Sequence, residues 1–267
     1  MAALDKRDLL LFHYEVEPAW YEIDIFVTFI LRELKFLQFS FILFFFVLTF
    51  LLGYLMSILI PSQKTYLQSF IKEIDPLVLD MEKYAEENSI PILSRDSAEF
   101  LEQLICLIKP KRILELGTAI AYSTIRIARN LKKKGSVYTI EKSEDNIMLA
   151  KENITKSGLG GKINIIAGNA LDELPRFDKK FDFIFLDADK IDYKRLFDYS
   201  LILLKKGGVI FVDNLLWRGY AAASKVPGDQ KSAVKVIKEF NTIFTSQPNL
   251  KTTILPVGDG IGIGVKL

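Results

Sequence analysis

From residue 61 onward, two kinds of apolar segment alternate along the chain. Residues 64–74, 77–87 and 96–107 have a helical pattern, whereas the later segments are short runs rich in β-branched and aromatic residues. Strands that alternate with helices predict a parallel sheet covered on both faces, and a Gly-Asp-Gly turn near the end indicates a terminal antiparallel hairpin. The predicted strands are residues 112–117, 136–141, 163–168, 182–187, 208–213, 252–256 and 261–266.

The first sixty residues form an extension that differs from the 61–267 domain. Positions 36 to 63 carry no charge, and residues 40–60 would span roughly 30 Å as a helix, the thickness of a bilayer core. This pattern predicts one transmembrane helix over 40–60 that anchors the chain to a membrane and is not a cleaved signal peptide. Two alternatives stay open: a native start at Met56, which leaves 212 residues, or a buried core helix.

Composition narrows the chemistry of the domain. The only cysteine, Cys106, lies in an apolar run and is expected to be a buried structural thiol, so a disulfide framework within the chain is excluded and a cytoplasmic domain fits. The only histidine, His13, lies outside the domain, which argues against histidine-based catalysis. From residue 61 the chain carries 31 Lys and Arg against 26 Asp and Glu, a mild basicity that permits a nucleic-acid partner without requiring one.

The loop after the first predicted strand belongs to LELGTAIAYS. A dinucleotide fingerprint needs three glycines, but here the three positions are Gly117, Ala119 and Tyr122, which disfavours a nicotinamide cofactor. A cofactor without phosphates needs one glycine for close approach, an acid near its amino group and an acid on the next strand for its ribose. Glu115, Gly117 and Glu141 meet these needs.

Polar residues also follow the fourth and fifth predicted strands. Adjacent parallel strands bring their carboxyl ends to one edge, so Asp187, Asp213 and Asn214 are expected to lie together. Two carboxylates and an amide, all oxygen ligands, suit a hard cation such as Mg²⁺. The alternative is a pair of unrelated strand-end turns with solvated acids.

Four segments, LELGTAIAYS, FIFLDADKIDY, LLKKGGVIFVDNLLWRG and PVGDGIGIGVK, together resemble the cation-dependent O-methyltransferase family. That family includes catechol and caffeoyl-CoA O-methyltransferases, and the segments look most similar to its small bacterial members, among them tRNA 5-hydroxyuridine methyltransferases. The resemblance covers about residues 64–267. It implies an α/β, Rossmann-like class I methyltransferase fold with a seven-stranded, mostly parallel sheet and helices on both faces, to which this chain adds the N-terminal apolar helix.

The resemblance also implies cofactors and residue roles. The cofactors would be S-adenosylmethionine (SAM) and Mg²⁺ or another divalent cation, and Lys190 would deprotonate or orient the acceptor hydroxyl. Two departures are Ala121, where the family usually has glycine, and Asn169, where it has aspartate. The implied SAM contacts are Glu115, Gly117, Ser123, Glu141, Ala170 and Asp187; the implied metal ligands are Asp187, Asp213 and Asn214; Asp189 and Trp217 border the acceptor pocket.

The function implied is methyl transfer to a hydroxyl of a catechol-like small molecule, with a tRNA 5-hydroxyuridine at the wobble position as the alternative acceptor. The predicted membrane anchor favours the small molecule. A homodimer is also expected. A noncatalytic, membrane-tethered SAM-binding protein is a third interpretation, against which stands the presence of Asp187, Lys190, Asp213 and Asn214.

Overall fold

The computed structural model describes residues 61–267, in which seven strands form one sheet. The strands are β1 (Arg112–Leu116), β2 (Ser136–Glu141), β3 (Ile163–Ala167), β4 (Phe181–Leu186), β5 (Leu204–Val212), β6 (Leu250–Leu255) and β7 (Ile261–Lys266). The helices are α1 (Pro61–Gln68), α2 (Pro76–Glu87), α3 (Arg95–Ile108), α4 (Tyr122–Asn130), α5 (Glu144–Ser157), α6 (Ala170–Glu173), α7 (Tyr193–Leu203) and α8 (Lys231–Thr245).

The predicted transmembrane helix over 40–60 lies outside the described residues, as does the extension to which it was assigned. Among the helices from residue 61 onward, none combines the length and the apolar character that crossing a bilayer requires. The division into an extension and a domain at residue 60 stays a prediction.

The sheet has the order β3-β2-β1-β4-β5-β7-β6. Strands β1 to β5 are parallel, and β7 runs antiparallel to both β5 and β6. β1 and β4 are neighbours near the centre of the sheet. β2 and β3 lie on the β1 side, and β5, β7 and β6 lie on the β4 side. A sheet of this kind opens a ligand cleft beyond the carboxyl ends of its strands, at the point where the order reverses. The predicted Rossmann-like sheet is therefore confirmed.

Helices cover both faces of the sheet. On one face α2, α3, α4 and α5 bury side chains such as Met81, Leu101 and Ile125 against the strands. On the other face α7 and α8 contribute Phe197 and Phe240 to a second core. Strands covered on both faces have no solvent side, which explains their nearly continuous apolar runs.

Three sequence-based expectations need correction. The first predicted helix was extended to residue 74, but α1 ends at Gln68, where the Ser69 hydroxyl donates to the Tyr66 carbonyl at 2.6 Å and satisfies the helix end. β5 begins at Leu204 rather than 208, because Leu204 pairs with Phe181 ahead of an irregularity in the ladder.

The predicted burial of Cys106 is also wrong, since this thiol is exposed. The buried face of α3 includes Leu101 and Ile105, and the next residue points about 100° further around the helix. Cys106 Sγ instead donates to Asn130 Oδ1 at 3.3 Å.

A buried ion-pair cluster joins the segment before α2 to α3 and α4. Arg126 is only 1% exposed, and its guanidinium lies 2.8 Å from Glu73 and 2.7 Å from Glu102. Arg129 contacts the same two carboxylates, each at 2.8 Å. Burial by itself would raise the pKa of Glu73. The hydrogen bond and charge of Arg129 and the charge of Arg126 have the larger combined effect, and they lower this pKa from 4.5 to about 2. Glu73 therefore stabilises the fold above about pH 4.5, and this contribution is lost as the pH falls toward 2.

Replacing Arg126 with Ala should lower the free energy of unfolding by about 3 kcal/mol, because two buried carboxylates lose a partner. Arg129 still contacts both carboxylates, so the low end of the range for broken buried pairs is expected. Arg195→Ala is the matched control, since Arg195 is 68% exposed and lies 3.8 Å from Asp192. Urea unfolding at pH 7 measures both variants. Equal losses for the two would show that the buried cluster does not stabilise the fold.

Candidate active site

Strand register gathers the predicted site residues. β1, β4 and β5 are aligned at their last residues, so the residues that follow them, Gly117, Asp187 and Asp213, lie at one level of the sheet. Backbone hydrogen bonds extend this alignment, from Asp187 N–H to the Leu116 carbonyl and from Asp213 N–H to the Leu186 carbonyl. A cleft of about 740 Å³ opens at this edge and is lined by all three residues.

The loop from β1 to α4 passes close to the backbone after β4. A Cβ at Gly117 would lie 1.9 Å from the Asp187 carbonyl oxygen, and the φ of Gly117 is +99°. Only glycine fits both conditions. Ala119 and Ala121 also have positive φ, 46° and 69°. The family that the sequence resembles usually has glycine at position 121. The backbone of Ala121 is therefore strained, because a residue with a methyl side chain has a left-handed conformation there.

Glu115 lies behind the cleft wall. It is fully buried, and its carboxylate accepts hydrogen bonds from the hydroxyls of Ser123, at 2.6 Å, and Thr124. Burial raises the pKa of Glu115 to about 7 despite these bonds. Ser123 itself lines the cleft. The structure thus brings Ser123 to the predicted SAM site, whereas Glu115 holds the first turn of α4 and its direct contact with SAM stays a prediction.

Glu141 lines the cleft at the end of β2 and ties two loops together. One oxygen accepts the N–H groups of Thr118, at 3.2 Å, and Ala119, at 2.9 Å. The other accepts those of Lys142, at 3.0 Å, and Ser143, at 2.9 Å. These four bonds match the acceptor capacity of a carboxylate. A ribose contact by Glu141 stays a prediction that requires sharing or displacing one of them.

Asn169 and Ala170 line the cleft beyond β3. The Asn169 side chain caps α6, accepting the Leu171 N–H at 2.9 Å. Asparagine caps a helix about as well as aspartate does, so this departure from the family pattern preserves the local structure.

Lys190 connects the residues that follow β4 and β5. It lies in a short 3₁₀ turn before α7, and its ammonium donates to Asn214 Oδ1 at 2.7 Å and to Asp187 Oδ1 at 3.2 Å. It also donates to the Tyr193 hydroxyl. The oxygens of Asp187 and Asn214 therefore already converge on a positive charge.

Asp213 adds a second carboxyl group, which is 4% exposed and accepts the Asn214 N–H at 2.7 Å. Burial and the charge of Asp187 raise the pKa of Asp213 to about 8, outweighing the Asn214 N–H and Lys190. In the 61–267 region, His, Cys, Asp and Glu alone do not form a group of three suited to a metal ion. The candidate donor set therefore depends on the Asn214 amide oxygen. Its all-oxygen composition, with two carboxyl groups, fits a hard cation.

The predicted acceptor residues lie on two sides of the cleft. Trp217 follows β5, and its indole N–H donates to Gln230 Oε1 at 3.0 Å. Asp189 forms an ion pair with Lys142 and is thereby linked to the loop after β2. Trp217 and Asn214 both have positive φ, 47° and 62°, so the backbone of the segment after β5 is strained, like that of the loop after β1.

Two residues near Lys190 were not assigned from the sequence. The β6–β7 turn carries Asp259, which accepts the Arg218 N–H and lies 3.5 Å from the Asn214 amide nitrogen. Burial raises the pKa of Asp259. Tyr193, whose hydroxyl accepts from the Lys190 ammonium, is the second residue. The hairpin was predicted, but its placement beside β5, which brings Asp259 to the cleft, was not.

Glu115→Gln should change the pH dependence of stability. The pKa of this carboxyl group is 4.5 in the unfolded chain and about 7 in the folded protein. The folded state therefore holds the proton more tightly, and the free energy of unfolding falls as the pH rises from 4.5 through 7. The wild type should therefore lose about 3 kcal/mol more than Glu115→Gln between pH 4.5 and 8. Urea unfolding across this range tests it, with the exposed Glu239→Gln as control. Parallel curves for wild type and Glu115→Gln would contradict the raised pKa.

Gly117→Ala should weaken SAM binding by about tenfold or more, because the added methyl group would displace the Asp187 backbone. Gly158→Ala is the matched control, since Gly158 also has positive φ, +67°, but has open space around it. The control should cost only about 1 kcal/mol of stability and leave affinity unchanged. Calorimetric titration with SAM measures both. Wild-type affinity in Gly117→Ala would show that the close approach is dispensable.

Comparison with known proteins agrees with this geometry. The model of the O-methyltransferase family matches residues 67–267. A caffeoyl-CoA O-methyltransferase from Populus kitakamiensis is 36% identical over 181 residues, 65% of this chain and 76% of the relative. A catechol O-methyltransferase from Niastella koreensis is 32% identical over 207 residues, 75% of this chain and 90% of the relative.

The fold has the same relationship to solved structures. The O-methyltransferase TomG from Streptomyces achromogenes, solved in complex with SAM, superimposes with a TM-score of 0.68 and 26% identity. The match covers 77% of this chain and 96% of that one. The family match, the relatives and the fold lead to one conclusion: the chain belongs to the O-methyltransferase family, whose enzymes use SAM as methyl donor.

Proposed function

We propose that this chain transfers the methyl group of SAM to a hydroxyl of a catechol-like small molecule, with a divalent cation bound by Asp187, Asp213 and Asn214. The observation that carries the proposal is the convergence of the Asp187 and Asn214 oxygens on the Lys190 ammonium, beside the buried Asp213 carboxyl group. This arrangement contains more oxygen atoms than the three N–H groups of one ammonium can pair with. It lies in the cleft of a fold that the SAM-dependent O-methyltransferases share.

The proposed cation site uses oxygen atoms alone, which favours Mg²⁺ or a similar hard ion. Asp213 is nearly fully buried beside Asp187, and the cost of keeping two carboxylates there falls when a cation is present. A bound divalent cation would lower the pKa of an acceptor hydroxyl and orient two neighbouring acceptor oxygens.

Lys190 is the proposed proton acceptor or orienting group. Its side chain is 12% exposed and reaches the same oxygens as the proposed cation, so an acceptor hydroxyl at this site would lie beside Nζ. In the proposed reaction a bond forms between the acceptor oxygen and the methyl carbon while the carbon–sulfur bond breaks. The hydroxyl proton passes to Lys190 Nζ where this group is a neutral amine; where it is an ammonium, Lys190 orients the oxygen and the proton passes to water. A positioned group of this kind contributes about 10² to 10⁴ in rate.

Gly117, Ser123, Glu141 and Ala170 are the proposed SAM contacts, since all four line the cleft. The missing side chain at Gly117 supports this placement, because it lets the loop after β1 lie against Asp187 without a clash. Asp187 is thereby proposed to lie at the junction of the SAM side and the cation side.

A small aromatic acceptor is favoured over tRNA. Trp217 supplies an aromatic wall in the cleft of about 740 Å³, which the acceptor would share with SAM. The two relatives described above are named for caffeoyl-CoA and catechol, acceptors with neighbouring hydroxyls on one ring. The homodimer and the N-terminal membrane anchor stay predictions.

Methyl transfer from labelled SAM by the full-length chain tests the proposal. Catechol and hypomodified tRNA are offered separately, with Mg²⁺ or with EDTA. We expect catechol to be labelled only with Mg²⁺, and Lys190→Ala to lower kcat about 100-fold with unchanged SAM affinity. Lys194→Ala is the control, because Lys194 is an exposed lysine on α7 paired with Asp198.

Each other outcome removes a defined part of the proposal. Catechol labelling that persists in EDTA would remove the cation, and full turnover by Lys190→Ala would remove its role. Labelling of tRNA alone would replace the acceptor. SAM binding without transfer to either acceptor would favour a noncatalytic binding protein.

A further inference from the structure

Tyr193 is a fully buried tyrosine three residues after Lys190, at the start of α7. A buried hydroxyl needs hydrogen-bond partners, and Tyr193 has two. It donates to the backbone carbonyl of Asp213 at 3.2 Å, and it accepts from the Lys190 ammonium. Tyr193 thus connects the proposed proton acceptor to the backbone of a proposed metal ligand.

The direction of these two hydrogen bonds is fixed. A carbonyl oxygen only accepts and a lysine ammonium only donates, so the Tyr193 hydrogen points to Asp213 and its lone pair faces Lys190. Removing the hydroxyl would leave the Lys190 ammonium without this acceptor. The backbone after β5 would lose a donor at the same time.

The tyrosine ring is also held in place. It packs edge to face on Phe240 of α8, with centroids 5.2 Å apart, and Phe240 packs on Phe197 of α7 at 5.4 Å. Lysine has a flexible four-carbon chain, whereas this ring is enclosed by two helices. Tyr193 is therefore the rigid member of the pair, and Lys190 Nζ lies 4.3 Å from its ring centroid.

The remaining partners of Lys190 are Asp187 and Asn214, which the proposed function assigns to a cation. When those oxygens are engaged elsewhere, the Tyr193 hydroxyl is the partner that Lys190 keeps among the three. We infer that Tyr193 is a positioning residue that holds Lys190 Nζ toward the acceptor hydroxyl. This inference rests on the proposed function.

Tyr193→Phe preserves the ring and removes the hydroxyl. We expect kcat to fall about tenfold while KM for SAM stays within about twofold, since the lost bond involves a charged donor outside the SAM contacts. Tyr138→Phe is the matched control: Tyr138 also packs edge to face, on Phe181 at 5.8 Å, but its hydroxyl is 3.4 Å from Arg112 and not near Lys190. Counting SAM-binding sites by titration corrects kcat for any fraction that fails to fold.

A double-mutant cycle separates positioning from a general structural role. If Tyr193 acts through Lys190, Lys190→Ala combined with Tyr193→Phe has the same kcat as Lys190→Ala alone. Multiplicative losses in the double variant, or wild-type kcat in Tyr193→Phe, would overturn the inference while leaving the role of Lys190 intact. Wild-type kcat in Lys190→Ala would overturn both, which distinguishes failure of the proposed function from failure of the inference alone.

Discussion

The close approach of Gly117 to the Asp187 backbone is the constraint on which the rest of the cleft depends. The loops after β1 and β4 are in contact because residue 117 has no side chain, so the two halves of the cleft share a wall. On one side of this wall lie the residues proposed to bind SAM, and on the other Asp187 faces Lys190. A donor and an acceptor bound on opposite sides would meet at this contact, which is what a direct transfer between them requires.

Buried charge is handled in two ways in this protein. Around Arg126, each carboxylate of the cluster faces a guanidinium group, and the carboxylates of Glu73 and Glu102 each contact both Arg126 and Arg129. The cluster links the segment before α2 to the core helices. Around Lys190, the carboxyl groups of Asp187, Asp213 and Asp259 lie close to one ammonium, and burial together with the charge of Asp187 raises the pKa of Asp213. The first arrangement links helices of the fold, whereas the second brings together the oxygen atoms of the proposed cation site.

Local patterns were enough to predict the sheet and the strand-end residues. Short apolar runs rich in β-branched and aromatic residues identified all seven strands, and the register placed Gly117, Asp187 and Asp213 at one level of the sheet, as expected. Local patterns did not predict side-chain positions that depend on contacts between distant parts of the chain. Cys106 lies beside a buried position but points outward, toward Asn130 of α4. Asp259 and Tyr193 join the site only through pairing with β5 and packing on α8, which the sequence does not display.

The four hydrogen bonds to Glu141 have a consequence for how such a fold diversifies. Two loops, one after β1 and one after β2, depend on a single carboxylate for the direction of their N–H groups. An insertion that moved the Glu141 carboxylate would remove hydrogen bonds from both loops, so the two loops are structurally coupled. The segment after β5 and the β6–β7 turn form a second coupled pair, because the N–H groups of Leu215 and Leu216 donate to the carbonyls of Gly260 and Asp259. A change of length in one pair would leave the hydrogen bonds of the other pair in place.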